Sequence, residues 1–385
     1  MRAFVFTDPA LTRRAGQFVW LEVNIDDARN DAVAERLSCE ALPAFYIVNP
    51  SDESVVMRVV DSMSVAELEA FLDQGRAAVA GDVPSSSLDG LLLRADRLDG
   101  EGKQADAASA YRDVVEQAPV GWPPYGRAVV ALLFLYQALG DQSSCVSVAR
   151  QALPRLSGAP AGVKVANSGL DCALGLGQGD PERRATVAAM ERATREILAT
   201  PPAGVAADDL SASYLSLISA RKDAGDAKGA ARDASAWASF LEAQAAAART
   251  PEQRAVFDSH RLSAYLELGQ PERAIPMLER SERDLPGDYN PPARLAVAYL
   301  RLKKLDAALA ASDRALAKVT GPRRVQVFVV RANILVEKGD ASAARDILQD
   351  AITYAELLPP AQRSEEMISQ LRDKRDKLGA KTPRR

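Results

Sequence analysis

Residues 265–286 read YLELGQPERAIPMLERSERDLP, and their spacing decides the fold. Gly269 can adopt the left-handed conformation that ends a helix. Ala274 is small, as a residue must be where two helices approach closely, and Pro286 cannot continue a helix already under way. Helix, tight turn, helix and stop therefore follow one another within one short stretch. The same marks return further along: Tyr265 and Tyr299 are 34 residues apart, and so are Ala274 and Ala308. A fixed period of this length belongs to repeat architectures, in which each unit buries its apolar face against its neighbours.

Outward from this stretch the pattern persists. It recurs as Gly102, Ala107, Tyr111 and Pro119; as Tyr136, Gly140 and Ala152, with Cys145 in the small slot; as Gly225 and Ala230; as Ala296, Tyr299 and Ala308; and as Ala332, Gly339, Ala344 and Leu348. The units around Gly177–Asp180 and Leu241–Ala248 depart from the period through longer helices or loops. With its period and its Tyr, Gly, Ala, Leu and Pro positions, residues 88–360 resemble the tetratricopeptide repeat family, and six to seven helical hairpins are expected. That resemblance implies an all-α solenoid that binds peptides or protein segments on a concave face lined by the first helix of each unit. Ser259, Ser263, Val297, Val329 and Asn333 are its candidate lining residues, with the Asn333 amide able to hold a peptide backbone; the alternative for each is a solvated helix face. No Lys and Asn cluster matches the family's clamp for acidic C-termini, which disfavours that ligand class.

Residues 1–79 have a different texture. Phe18–Ile25, FVWLEVNI, reads as a strand covered on both faces; Phe45–Val48 and Val55–Val60 read as a second and a third strand, separated by the turn cluster Asn49–Ser54. Ser64 and Glu67 form a capping box ahead of a helix carrying Leu68, Phe71 and Leu72. This order, with Pro43 just before the second strand, resembles the thioredoxin fold from its active-site helix onward. FVWLEVNID, LSCEALPAFYIVNP and VVDSMSVAELEAFL carry the resemblance. It implies a partial α/β domain, a cis Leu42–Pro43 bond and a peptide held at the Leu42 backbone; a trans proline at a strand's beginning is the plain alternative. MRAFVF at the start resembles the later turns of the family's active-site helix, so the strand and the C-x-x-C that precede it are lacking. Either Met1 is an internal methionine of a longer reading frame, or the domain is a degenerate remnant.

The expected architecture is thus an α/β thioredoxin-like partial domain (1–79), a linker (80–87), an all-α tetratricopeptide solenoid (88–360) and a helical or disordered basic tail (361–385), in which Arg372–Arg385 reads as a frayed helix and a disordered end. Several functions are excluded or weakened by composition. The chain of 385 residues has a formal net charge of −4 with both signs interspersed, which disfavours nucleic acid as a partner. Its longest apolar run, VVALLFL at 129–135, is far short of the roughly 20 residues of a membrane span. One histidine, His260, and three cysteines, Cys39, Cys145 and Cys172, offer little for zinc or a histidine-dependent triad, and no cofactor or metal is expected. His260 reads as structural, and each cysteine as a small buried side chain with no pairing suggested by spacing. Gly175–Gly179 is glycine-rich but lacks the strand and the following Lys-Ser/Thr of a phosphate loop. The favoured function is a protein-interaction scaffold without redox activity. The alternative is a thiol–disulfide oxidoreductase whose C-x-x-C lies upstream of a mis-assigned start, the repeats recruiting clients. As written the chain would stay in the cytoplasm; an upstream start would make a periplasmic home plausible.

Overall fold

The computed structural model describes residues 1, 3–37 and 42–380. In chain order the elements are α1 (Asp31–Arg36), β1 (Ala44–Val48), β2 (Val55–Val60), α2 (Val65–Ala80), α3 (Leu88–Gly100), α4 (Gln104–Gln117), α5 (Tyr125–Ala138), α6 (Gln142–Ala152), α7 (Pro160–Gly175), α8 (Arg183–Ala199), α9 (Ala207–Asp223), α10 (Ala227–Ala247), α11 (Pro251–Ala255), α12 (Asp258–Glu267), α13 (Ala274–Asp284), α14 (Asn290–Arg301), α15 (Leu305–Leu316), α16 (Pro322–Glu337), α17 (Ala341–Glu356) and α18 (Glu365–Ala380). The chain divides into two units, Met1–Phe18 with Leu37–Ala234, and Val19–Arg36 with Ser235–Arg385.

In both units the chemistry of the turns sets the helical solenoid. Gly269 follows α12 with φ of 68°, and Gly339 follows α16 with φ of 82°. Between them Lys303 takes the same place after α14 at φ of 57°, a conformation a side chain with Cβ adopts only at some cost. Ala274, Ala308 and Ala344, at the start of the second helices, are fully buried. In the first unit the core runs through Leu92, Tyr111, Leu132, Leu133 and Leu170, with α3 to α9 packing in succession. The buried Asp96 carboxylate ties three of these helices: it accepts from the Tyr111 hydroxyl at 2.5 Å and from Arg127 at 2.8 and 2.9 Å.

The α/β layer is smaller than the resemblance implies. Among the described residues there is one sheet of two antiparallel strands, in which Phe45 pairs with Val59 and Ile47 with Met57. The capping box forms as expected: Glu67 N–H donates to Ser64 Oγ at 3.2 Å, and Ser64 N–H to Glu67 Oε2 at 2.8 Å. Leu68, Phe71 and Leu72 of α2 bury against Met57 and Met63, with Leu93 of α3 packed on the same cluster. The Leu42–Pro43 bond is cis.

Three expectations are corrected. Residues 18–25 are not a strand; Val19 and Leu21 are 88% and 83% exposed. β-branched and aromatic residues favour a strand only where a neighbouring strand pairs with them, and the one sheet among the described residues is made of β1 and β2 alone. The start of the chain is a turn in which the amides of Phe4, Val5 and Phe6 converge on the Met1 carbonyl, followed by a 3-10 segment at Pro9–Arg14. Cys145 and Cys172 are bonded to each other, joining α6 to α7, and both are fully buried. Within the tail, α18 packs on α17 and buries Ile368 and Leu371 beside Leu348 and Ile352. Cys39 lies outside the described residues. His260 is structural in setting, its ring 6.4 Å from that of Trp237.

Candidate peptide-binding face

Ser263, Val297 and Asn333 each stand six residues before the turn residue of their own hairpin, Gly269, Lys303 and Gly339. They therefore share one phase on α12, α14 and α16, the first helices of three consecutive hairpins, which pack side by side. Ser259 and Val329 share a second phase one turn earlier. Phase alone does not decide what each residue meets. Ser263 is exposed and borders a cleft of about 510 Å³ that is also lined by Leu266, Glu267, Glu272, Arg301 and Leu302. Ser259 and Val297 are half-buried beside it on the same two helices.

The other two residues meet α18. Asn333 Oδ1 accepts from Lys374 Nζ at 2.7 Å, so the amide read as a holder of peptide backbone is engaged within the chain. Burial pulls the Lys374 ammonium below the usual lysine range. Val329 packs into the cluster that holds Ile368 and Leu371 of α18. Of the residues read as lining the face, Asn333 and Val329 are thus engaged by the last helix. Leu42, 51% exposed, and Pro43 belong to the other unit.

Beneath the face lies charge that the sequence did not flag. Asp258 opens α12 and is fully buried; burial pushes its carboxyl up, opposed by the Ser281 hydroxyl and by Arg294, Arg261 and Arg254. Arg294 on α14 is pulled down by its own burial, with Asp258 and Asp288 opposing. None of these groups lines the cleft.

In the first unit, Lys164, Ser168 and Asp171 form the stripe of α7 left out of the core at i, i+4 and i+7. The Lys164 ammonium donates to the Ser62 carbonyl, lies 3.1 Å from the Asp61 carboxylate and 4.0 Å from that of Asp209 on α9. Asp209 accepts from the Ser62 hydroxyl at 3.3 Å. A second contact anchors the sheet to α3: Arg58 of β2 meets Asp99 at 2.5 Å with both side chains buried, and Val55 lies so close to Gly100 that a Cβ there would come within 2.8 Å of it. Among the described residues no cluster of three His, Cys, Asp or Glu could hold a metal ion, and no helix is long and apolar enough to cross a membrane. The described cysteines present no thiolate, since each is the other's partner.

Comparison with known proteins agrees with the repeat. Residues 265–327 match the tetratricopeptide repeat family, and the mostly helical solenoid is similar to that type. No curated protein matches the chain. Among solved structures, a tetratricopeptide repeat protein of Parabacteroides merdae aligns at 12% identity over 75% of this chain and 98% of its own, with a TM-score of 0.47. The TPR2AB domain of yeast Sti1, solved with pHSP90, aligns at 14% identity over 76% and 100%, with a TM-score of 0.29.

Proposed function

We propose that this chain is a non-catalytic scaffold that binds an extended segment of another protein along the open face of α12 and α14. The observation that carries the reading is the cleft at Ser263, where the C-terminal ends of α12 and α14 meet the turn Gly269–Glu272 and present a small hydroxyl, apolar Leu266 and Leu302, and charges of both signs at Glu267, Glu272 and Arg301. Such a surface suits a peptide with apolar anchors and a polar backbone, which repeat proteins of this architecture take along their inner face.

The test uses a phage-displayed library of random peptides selected on the immobilised full chain. Recovered sequences are then measured by fluorescence anisotropy against the unaltered chain, Ser263→Arg, and Arg280→Ala, the last on the exposed side of α13. Ser263→Arg should weaken binding about tenfold or more, the loss expected when a long charged side chain fills a contact pocket, while Arg280→Ala leaves it unchanged. Peptides that bind Ser263→Arg as well as the unaltered chain would refute this placement of the site.

A further inference from the structure

The loop between β2 and α2 touches the solenoid through a constellation that the proposed function does not use. Lys164 and Asp209, side chains each only 12% exposed, come from adjacent first helices, α7 and α9. Asp61 supplies a carboxylate to Lys164, Ser62 supplies its carbonyl to Lys164 and its hydroxyl to Asp209, and Met63 follows into the apolar cluster with Leu68 and Phe71. The floor is built: Asn167 Nδ2 donates to the Asp209 carbonyl at 3.2 Å, and Ser213 Oγ donates to Asn167 Oδ1 at 2.8 Å. Asp61 reaches its place at φ of 104°, which residues with a Cβ rarely adopt, so contacts hold the loop there against its own backbone preference.

We propose that Lys164, Asp209 and Asn167 form a second peptide-binding notch, that Asp61-Ser62-Met63 is its tethered occupant, and that the notch takes an extended acidic Asp-Ser-apolar segment of a partner when the loop lifts. This rests on the reading that the first helices bind extended segments, but it names another site and a ligand chemistry. Charge decides the chemistry. With the loop lifted, Asp61 leaves with it, and Lys164 and Asp209 remain as a half-desolvated pair 4.0 Å apart. A carboxylate is what restores the missing partner of Lys164, and a hydroxyl donor is what Asp209 then lacks. A basic or purely apolar segment satisfies neither.

The test keeps the full chain. Asp61→Arg sets a like charge against Lys164 and should lift the loop, read as faster hydrogen exchange at the Asp61 amide, which donates to the Pro43 carbonyl at 2.9 Å. A fluorescein-labelled peptide VVDSMS, copied from residues 59–64, should bind Asp61→Arg roughly thirtyfold more tightly than it binds the unaltered chain. The same peptide with Asn for its Asp, or a chain carrying Lys164→Met as well, should lose that gain, as when one partner of a buried charge pair is removed. If circular dichroism shows Asp61→Arg unfolded, Asp61→Ala replaces it in every comparison. Lifted loops with no peptide binding, or binding indifferent to Lys164→Met, would overturn the proposal. So would a loop whose exchange is unchanged in both variants, because Lys164 would then not be what seats it. Lys164→Met leaves Ser263 and its cleft untouched, so failure here and failure of the Ser263 assay are separate results.

Discussion

Asp209 should make the first unit less stable as pH rises through about 6. Burial pushes its carboxyl up to about 6; Lys164 opposes the shift, Asp61 and Glu67 add to it, and the Ser62 hydroxyl pulls the other way. In the unfolded chain the same group titrates near 3.9, roughly 2 units lower. A folded-state pKa above the unfolded value means that the folded form holds the proton more tightly. The contribution is fully present below about 3.9 and is lost as pH climbs past 6. At 1.36 kcal/mol per unit, the swing between pH 4 and pH 7 is about 3 kcal/mol at most. Lys164 does not titrate in this window: desolvation pulls its ammonium down, but Asp209 and Asp61 outweigh that and its pKa is raised. Asp209→Asn, which mimics the protonated form, should track the unaltered chain near pH 4.5 and exceed it by about 2–3 kcal/mol near pH 7.5. Unfolding of a two-unit chain need not be two-state, so the quantity to follow is hydrogen-exchange stability of the α7 and α9 amides. Carboxyl-labelled aspartate gives a direct check: one ¹³C resonance with a midpoint near 6 that vanishes in Asp209→Asn. A carboxyl titrating below about 4.5, or a difference between the two chains that is flat with pH, would refute the reasoning.

Other consequences can be measured separately. Lys303→Gly should stabilise the second unit by about 0.5–1 kcal/mol in thermal melts, because the left-handed turn costs a lysine more than a glycine and the Lys303–Glu337 pair it gives up is exposed. Asp99→Ala should destabilise the first unit by about 3–5 kcal/mol, seen in urea unfolding, since Arg58 is left buried without its carboxylate. Leu278→Ala, at a fully buried position of α13, should cost about 2–5 kcal/mol by the same measurement. Under denaturing but non-reducing conditions Cys145 and Cys172 should resist iodoacetamide and become alkylated only after dithiothreitol, as read by peptide mass spectrometry.

The repeat was legible because its signals are local. A glycine that ends a helix, an alanine at a close approach and a proline that stops the second helix act within one hairpin, so Tyr265–Pro286 announces itself without its neighbours. The features that escaped depend on distant partners. FVWLEVNI has the composition of a strand, but a strand is a relation between two segments, and Val19 and Leu21 stand in solvent. Cys145 fitted the small slot of its hairpin and gave no hint of Cys172, a sequence separation of 27 away on the next helix. Ile368 and Leu371 were lost among the charges of α18, yet they suffice to seat it on α17. Asp258 and Arg294 were passed over because a charged residue in a helical stretch reads as surface until its burial is known.

The same distinction governs the binding face. Helical phase groups Ser263, Val297 and Asn333 at one position of successive first helices. Phase cannot say whether that stripe stays open, since the cover comes from elsewhere in the chain. In the second unit α18 takes up Asn333 through Lys374. In the first unit the Asp61–Met63 loop takes up Lys164 and Asp209. Each cover satisfies a polar group that would otherwise be partly desolvated, an expensive state when left unpaired. The stripe at Ser263 borders a cleft instead, which is why the proposed foreign segment is expected to engage there first.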